Sequence, residues 1–220
     1  MKIYLSKFVG ILSVFLICIQ TTRAQSPDLG SVANFVLFTS GGAVGNTAIS
    51  HLNGDVGTHV GAITGFSLPT VVNGSIEQAN AATLQAKADL LSAYTELFNT
   101  TATDTTHTPA FGLGEILLPG VYSIAAAGSL AGELILNAQG NSNAVFIFKF
   151  GGAFNTGAVS AVRLINGAQA SNVFWIAEGE IAMAAATSMQ GTMIANNGAI
   201  SLGAGGTLVG RMLSTLGAVS

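Results

Sequence analysis

The chain has 220 residues, half of them hydrophobic and only 8% charged, with a formal net charge of -3. This length favours one domain, and the hydrophobic content excludes a disordered chain. The acidic balance excludes the basic patch that nucleic-acid binding requires. With 28 glycines and so little charge, we expect a surface covered by small and uncharged side chains.

The first 24 residues have the three parts of a secretory signal peptide. Lys2 and Lys7 form a basic start, and an apolar run follows over residues 8–19. Thr22 and Ala24 then place small residues at the two positions that a signal peptidase reads before Gln25. The apolar run is too short to span a bilayer. We therefore predict a secreted protein with one mature domain over residues 25–220 and no membrane span.

The only cysteine, Cys18, lies inside the apolar run. Leu16 and Ile17 precede it, and they do not fit the small residues of a lipoprotein signal. The mature chain would then have no disulfide or thiol chemistry. Removal of the leader leaves four basic and ten acidic residues, a net charge of -6.

The mature sequence begins with short segments that glycine interrupts every few residues, over residues 29–68. Strands this short suit the coils of a solenoid better than long hairpins. Residues 75–98 differ, because they contain no glycine or proline and many good helix formers. They predict one amphipathic helix, and Ser75 with Gln78 predicts its capping box.

One face of that helix should be buried, because its small and apolar residues recur at spacings of three and four. These residues are Ile76, Ala79, Thr83, Ala86, Leu90, Ala93 and Leu97. A polar loop follows over residues 99–109. From Phe111 onward the chain returns to short segments in which apolar residues alternate, as they do along strands.

The last forty residues repeat with a period of 19. That shift places Gly191 on Gly210 and Ile181 on Ile200, and it would place Phe174 and Trp175 on Met193 and Ile194. A shift of 28 would place residues 145–148 on residues 173–176. A fixed period near 20 with glycine at fixed places is typical of a solenoid. We predict a mainly β fold, a parallel β-solenoid of triangular cross-section with the helix packed alongside.

Other residue patterns give weaker indications of chemistry. His51, Asp55 and His59 have the spacing of metal ligands on a helix, but their segment is broken by glycine. Glu178 and Glu180 could serve a carbohydrate-cleaving solenoid, but adjacent loop glutamates are usually solvated. No nucleophile pattern or phosphate-binding loop is supported by its context. We expect no enzyme activity, no metal and no cofactor.

Several motifs in order resemble the microbial ice-binding protein family. They are GDVGT (54–58), TGF (64–66), NGSI (73–76), LLPGVYS (117–123), LNAQGNSNAVFIF (136–148), LINGAQASNVFW (164–175), GTMIA (191–195) and GRML (210–213). The resemblance covers essentially the whole mature chain. It implies a right-handed, discontinuous β-solenoid with a long helix beside it, and adsorption to ice as the activity.

The resemblance also implies a site on one flat face, with loose motifs of Thr, Ala or Gly followed two residues later by Thr or Asn. The residues of this chain that fit are Thr47, Ser50, Thr156, Thr187, Ser188 and Thr207. The expected partner is ice or ordered water, bound by a monomer. Two alternatives remain open: a structural or adhesion module of a cell envelope, and a carbohydrate-active solenoid enzyme.

Overall fold

A computed structural model describes residues 26–220 of the chain. The signal-peptide prediction lies outside the described residues. The described part of the chain begins with a short 3-10 helix, Gly30–Asn34, and a second one spans Ala170–Asn172. The single α-helix of the described residues is α1 (Ala81–Asn99). No helix among these residues is both long and apolar enough to cross a membrane.

Twenty short strands follow one another along the rest of the described chain. Before α1 they are β1 (Phe35–Thr39), β2 (Val44–Gly45), β3 (His51–Asn53), β4 (Asp55–Thr58), β5 (Ile63–Thr64), β6 (Val71–Asn73) and β7 (Ile76–Gln78). After α1 they are β8 (Ala110–Gly112), β9 (Glu115–Leu117), β10 (Gly120–Ile124), β11 (Gly128–Ala131), β12 (Glu133–Asn137), β13 (Phe146–Phe150), β14 (Phe154–Thr156), β15 (Ala161–Ile165), β16 (Val173–Ala177), β17 (Ile181–Met183), β18 (Ser188–Ala195), β19 (Ile200–Leu202) and β20 (Thr207–Ser214).

Every strand pair is parallel. The strands stack into three faces, apart from β3 and β6, which pair only with each other. The helix face has the strand order β10-β13-β16-β18-β20-β1-β4-β7. The alanine face has the order β8-β11-β14-β17-β19 and continues through Val219 to β2 and β5. The third face holds β9, β12, β15 and the first halves of β18 and β20. The prediction of a mainly β, parallel solenoid with one helix is confirmed.

The stacking order departs from the chain order. Strand β1 pairs with β20 on one side and with β4 on the other, so the N-terminal coils sit on the last C-terminal coil. The helix then carries the chain from β7, at one end of the helix face, towards β10 at the other. Its 19 residues span about 28 Å at 1.5 Å per residue, close to the roughly 34 Å of eight stacked strands.

The helix begins at Ala81, so the predicted start at residue 75 is wrong. Residues 76–78 form strand β7 instead, since they pair with β4 in the ladder. The capping box is formed by Asn80 and Thr83: the Asn80 side chain accepts a hydrogen bond from Thr83 N at 3.0 Å, and Asn80 N donates to Thr83 Oγ1 at 2.9 Å. The predicted buried stripe is confirmed at Thr83, Ala86, Leu90, Ala93 and Leu97.

The 19-residue period is confirmed where β18 meets β20, with Gly191 opposite Gly210. Two predicted alignments are wrong by one residue. Phe174 lies opposite Thr192, and Phe146 lies opposite Val173, a shift of 27. A shift by one would exchange the two sides of the strand, and the core does not allow it, because the rings of Phe148 and Trp175 stack inside at 4.1 Å.

The solenoid interior is a stack of large apolar side chains, with Trp175 among them. Its ring is fully buried, and its Nε1 donates to Gln190 O at 2.9 Å. Tyr122 stacks on Phe148 at 5.3 Å, and Phe154 lies on Trp175 at 5.1 Å. A second apolar cluster, including Phe38, Phe174 and Leu90, fills the space between the helix face and α1. The helix face is therefore closed to solvent, and two faces are left.

Candidate functional site

A four-residue repeat builds the alanine face. It has glycine at the corner, then an outward alanine, an inward apolar residue and an outward small residue. The repeat occurs at residues 42–45, 61–64, 152–155, 198–201 and 217–220, and with glutamate in place of alanine at residues 179–182. Outward and inward positions alternate because side chains of a strand point to opposite sides.

The alanine column runs across seven coils in register. Its members, in spatial order, are Ala127, Ala153, Glu180, Ala199, Ala218, Ala43 and Ala62. The carbonyl of each of the last six accepts a backbone hydrogen bond of 2.8 to 2.9 Å from the neighbouring coil. This unbroken ladder holds the methyl groups at the strand spacing of about 4.8 Å.

A second column lies beside the alanine column, two residues further along each strand. It consists of Ala110, Ser129, Asn155, Ala182, Ser201, Ser220, Gly45 and Thr64. None of these side chains is charged or larger than asparagine. The alanine face thus presents methyl, hydroxyl and amide groups at similar height, and Glu180 is the charged member of the two columns.

Glycine forms the corner because no side chain fits there. A Cβ at Gly198 would lie far inside contact distance of the Gly179 carbonyl, and Gly217, Gly42 and Gly61 repeat the same situation on successive coils. A buried hydroxyl then ties each coil to the previous one. Ser214 Oγ donates to Gly198 O at 2.8 Å, and Thr39 and Thr58 make the matching bonds at 2.7 Å.

The third face is less even. Arg163 and Glu133 project from it as an ion pair, with Nε to Oε1 at 2.9 Å. Val209 and Ile116 are 59% and 56% exposed on the same side. Long side chains with charge at their ends keep water in their own hydration shells, so this face is a poorer template for ordered water than the alanine face.

The six residues predicted for the site do not lie together. Thr156 and Thr187 are buried, and both hold Ala184: Thr156 Oγ1 accepts from Ala184 N at 2.9 Å, and Thr187 Oγ1 donates to Ala184 O at 3.0 Å. The expectation that these two hydroxyls face solvent is therefore wrong, because both are buried and make hydrogen bonds to the backbone of Ala184.

The other four predicted residues lie on two further surfaces. Ser188 and Thr207 are neighbours in register on the third face. Thr47 is exposed in the turn that leaves the alanine face, and Ser50 ends the same turn with its Oγ donating to Asn46 Oδ1 at 2.9 Å. The motif that led to these four residues contains Thr, whereas the two columns of the alanine face consist mostly of Ala and Ser.

The signal that could have found the alanine face is present in the sequence. It is the Gly-Ala-apolar-small repeat, and the 19-residue period already aligned Gly198, Ala199 and Ser201 with Gly217, Ala218 and Ser220. A search for threonine overlooked it, because small residues usually indicate turns or close packing rather than a binding surface.

Among residues 26–220, no three His, Cys, Asp or Glu side chains form a group that could hold a metal ion. Glu178 and Glu180 do not act as a pair, and Glu178 is not simply solvated. Glu178 accepts hydrogen bonds from Tyr94 on α1 at 2.5 Å and from Asn196 at 3.0 Å.

The Tyr94–Glu178 contact joins the helix to the corner of the solenoid. Burial of Tyr94, together with the adjacent Glu178 carboxylate, raises the pKa of the phenol well above its usual range. The phenol therefore stays protonated at physiological pH and can only donate to the carboxylate. This arrangement stabilises the position of the helix and offers no acid–base chemistry near neutral pH.

These features define the class of protein. It is a parallel β-solenoid with one helix along its side and one flat face of small residues. The chain belongs to the Ice-binding-like family, whose model matches residues 38–220. Membership of that family agrees with the expectation that the chain is not an enzyme.

Individual relatives agree with the family match. An ice-binding protein of Nostoc sp. (strain HG1) is 32% identical over 220 residues, covering 97% of this chain and 80% of the relative. The crystal structure of an ice-binding protein from an Antarctic Flavobacteriaceae bacterium has a TM-score of 0.84 and 47% identity, over 89% of this chain. This chain spans only 45% of that Flavobacteriaceae chain.

A fungal structure matches over nearly its full length. The ice-binding protein of the Antarctic ascomycete Antarctomyces psychrotrophicus has a TM-score of 0.83 and 30% identity, covering 88% of this chain and 94% of the fungal chain. The arrangement of coils and helix is therefore shared by bacterial and fungal relatives.

Proposed function

We propose that this protein is secreted and adsorbs to ice through the alanine face, without chemical turnover. The observation that carries the proposal is the register of the two columns: six alanines with Glu180 among them, and a row of Ser, Asn, Thr, Ala and Gly, stand on stacked coils. The names of the relatives support ice as the partner, and the leader-like residues 1–24 support secretion.

The physical basis is the regular spacing of weak contacts. Methyl groups offer water no hydrogen bond, while hydroxyl and amide groups hold water molecules at fixed positions between them. Because the strand ladder is rigid, these contacts form together and little conformational entropy is lost on adsorption. A monomer would suffice, since the whole face belongs to one chain.

The alanine face can be tested at its middle. We expect Ala199→Tyr to reduce thermal hysteresis and inhibition of ice recrystallisation to a small fraction, because the ring stands above the neighbouring methyl groups and separates the surface from ice. Ala88→Tyr, at an exposed position on α1, is the matched control and should keep full activity. Circular dichroism of each variant checks that the fold is intact.

A further pair of variants distinguishes the alanine face from the surfaces indicated by the threonine motif. Thr207→Tyr alters the third face and Thr47→Tyr alters the exposed turn. Both should retain activity if the alanine face contacts ice. Loss of activity in Thr207→Tyr but not in Ala199→Tyr would move the site to the third face. Absence of ice shaping in the unaltered protein would favour a structural or adhesion role.

A further inference from the structure

Glu180 interrupts an otherwise uniform column. The neighbours in its column are Ala153 on one side and Ala199 on the other, and all other members are alanine. The Glu180 carbonyl takes part in the ladder, accepting from Phe154 N at 2.9 Å. The backbone of the alanine face thus continues through this coil, and only the side chain differs.

The Glu180 side chain is free at the surface. It is exposed, and within residues 26–220 it makes no hydrogen bond and no ion pair. A carboxylate holds its own water strongly, and removing that water without a compensating partner costs free energy. Glu180 is also longer than alanine and rises above the row of methyl groups.

The position of Glu180 divides the alanine face into two unequal sections. The larger section contains Ala199, Ala218, Ala43 and Ala62 with Ser201, Ser220, Gly45 and Thr64 beside them. The smaller section contains Ala153 and Ala127 with Asn155 and Ser129. The larger section combines coils from both ends of the described chain.

We propose that Glu180 determines how much of the alanine face contacts ice, and limits the contact to the larger section. This inference rests on the proposed function. Adsorption through many weak contacts strengthens with each coil added, so the carboxylate sets the strength of ice binding. Its removal joins the two sections into one surface of seven coils.

The first test compares variants at position 180. Glu180→Ala should raise thermal hysteresis severalfold at equal molar concentration, and Glu180→Gln, which is uncharged but still long, should raise it less. Glu96→Ala, at an exposed site on α1, is the control for loss of one negative charge and should change nothing. An unchanged or lower hysteresis in a folded Glu180→Ala protein would overturn the inference.

The second test asks whether the smaller section becomes active. Ala153→Tyr should have little effect in the unaltered protein but should cancel the gain in the Glu180→Ala background. Ala218→Tyr, in the larger section, should abolish activity in both backgrounds. If Ala153→Tyr is as damaging as Ala218→Tyr without the Glu180 change, the face acts as one and the inference fails.

The two tests keep the inference separate from the proposed function. If Ala218→Tyr and Ala199→Tyr leave activity unchanged, the alanine face is not the ice-contact surface and the proposed function itself fails. If both substitutions abolish activity while Glu180→Ala does not raise thermal hysteresis, the alanine face remains the ice-contact surface. Only the role of Glu180 is then rejected.

Discussion

Four turns into the alanine face, at Gly42, Gly61, Gly198 and Gly217, depend on a glycine that has no room for a side chain. At Gly198 the missing Cβ leaves space for the carbonyl of Gly179 on the previous coil. The hydroxyl of Ser214 then donates to the carbonyl of Gly198 itself. At the scale of single residues, glycine and a buried hydroxyl together set the height at which the following alanine stands.

We therefore expect Gly198→Ala to destabilise the protein by about 1–3 kcal/mol, the cost of overpacking a tight contact. The new methyl group must push the Gly179 carbonyl away, which also disturbs the alanine column. The free energy of unfolding in denaturant gives the measurement. Gly157→Ala is the matched control, because a Cβ there meets only ordinary contacts at 3.5 Å and beyond. Equal stability of the two variants would show that the corner can accommodate a methyl group without a loss of stability.

The helix is held against the solenoid by polar contacts as well as by its buried stripe. Near its middle, Asp89 Oδ2 accepts from Ser31 N at 2.7 Å and from Ser31 Oγ at 2.6 Å. At its end, Lys149 Nζ donates to the carbonyls of Phe98 at 3.0 Å and Thr100 at 2.7 Å. Burial lowers the pKa of that lysine, but its position suits the negative end of the helix dipole.

The Asp89 contact predicts a dependence of stability on pH. Hydrogen bonds from the side chain and the backbone of Ser31 lower the pKa of Asp89 in the folded state. A lowered pKa contributes stability that is complete above the ordinary carboxyl range near pH 4 and is lost as the pH falls through the folded-state value. Asp89→Asn should thus lower the melting temperature at pH 7 and converge with the unaltered protein in acid.

The size of that effect should be below about 1 kcal/mol, because solvent screens a charge at this partly exposed site. Melting curves from pH 7 down to the acid range provide the measurement, and Glu96→Gln on the same helix serves as the control. A constant difference between Asp89→Asn and the unaltered protein across that range would show that the carboxylate charge has no part in the contact.

Across the whole molecule, the decisive contact is the seam between the first and last coils. Val44 and Val219 are fully buried and lie opposite each other, although they are 175 residues apart in the chain. The same seam joins the two halves of the larger section of the alanine face. A solenoid is stabilised mainly through contacts between neighbouring coils, so this seam couples the two chain segments.

A double-mutant cycle can measure that coupling. Val44→Ala and Val219→Ala should be non-additive by about 0.5–3 kcal/mol, as expected for residues in contact. Val44→Ala combined with Val162→Ala, which is buried on another coil, should be additive within about 0.5 kcal/mol. Additivity in both pairs would mean that the N-terminal coils are stabilised without the C-terminal ones.

The sequence by itself determined the period, the solenoid class and the buried stripe of the helix. Stacked coils need the same kind of residue at equivalent positions. The pairing of Gly191 with Gly210 can therefore be recognised from the repeat in the sequence. The stripe from Thr83 to Leu97 needs only the geometry of one helix. The predicted helix start was wrong because residues 76–78 pair with β4. This long-range pairing outweighs the local helix propensity of these residues.

Only the tertiary structure decided which surface is free and flat. A shift of one residue moves a side chain from one side of a strand to the other, so the local sequence could not place Thr156 and Thr187 inside and Ala199 outside. The helix covers the helix face, and the Arg163–Glu133 ion pair projects from the third face and makes it uneven. The larger section of the alanine face exists only because coils from opposite ends of the chain meet at Val44 and Val219, a contact with no local signal.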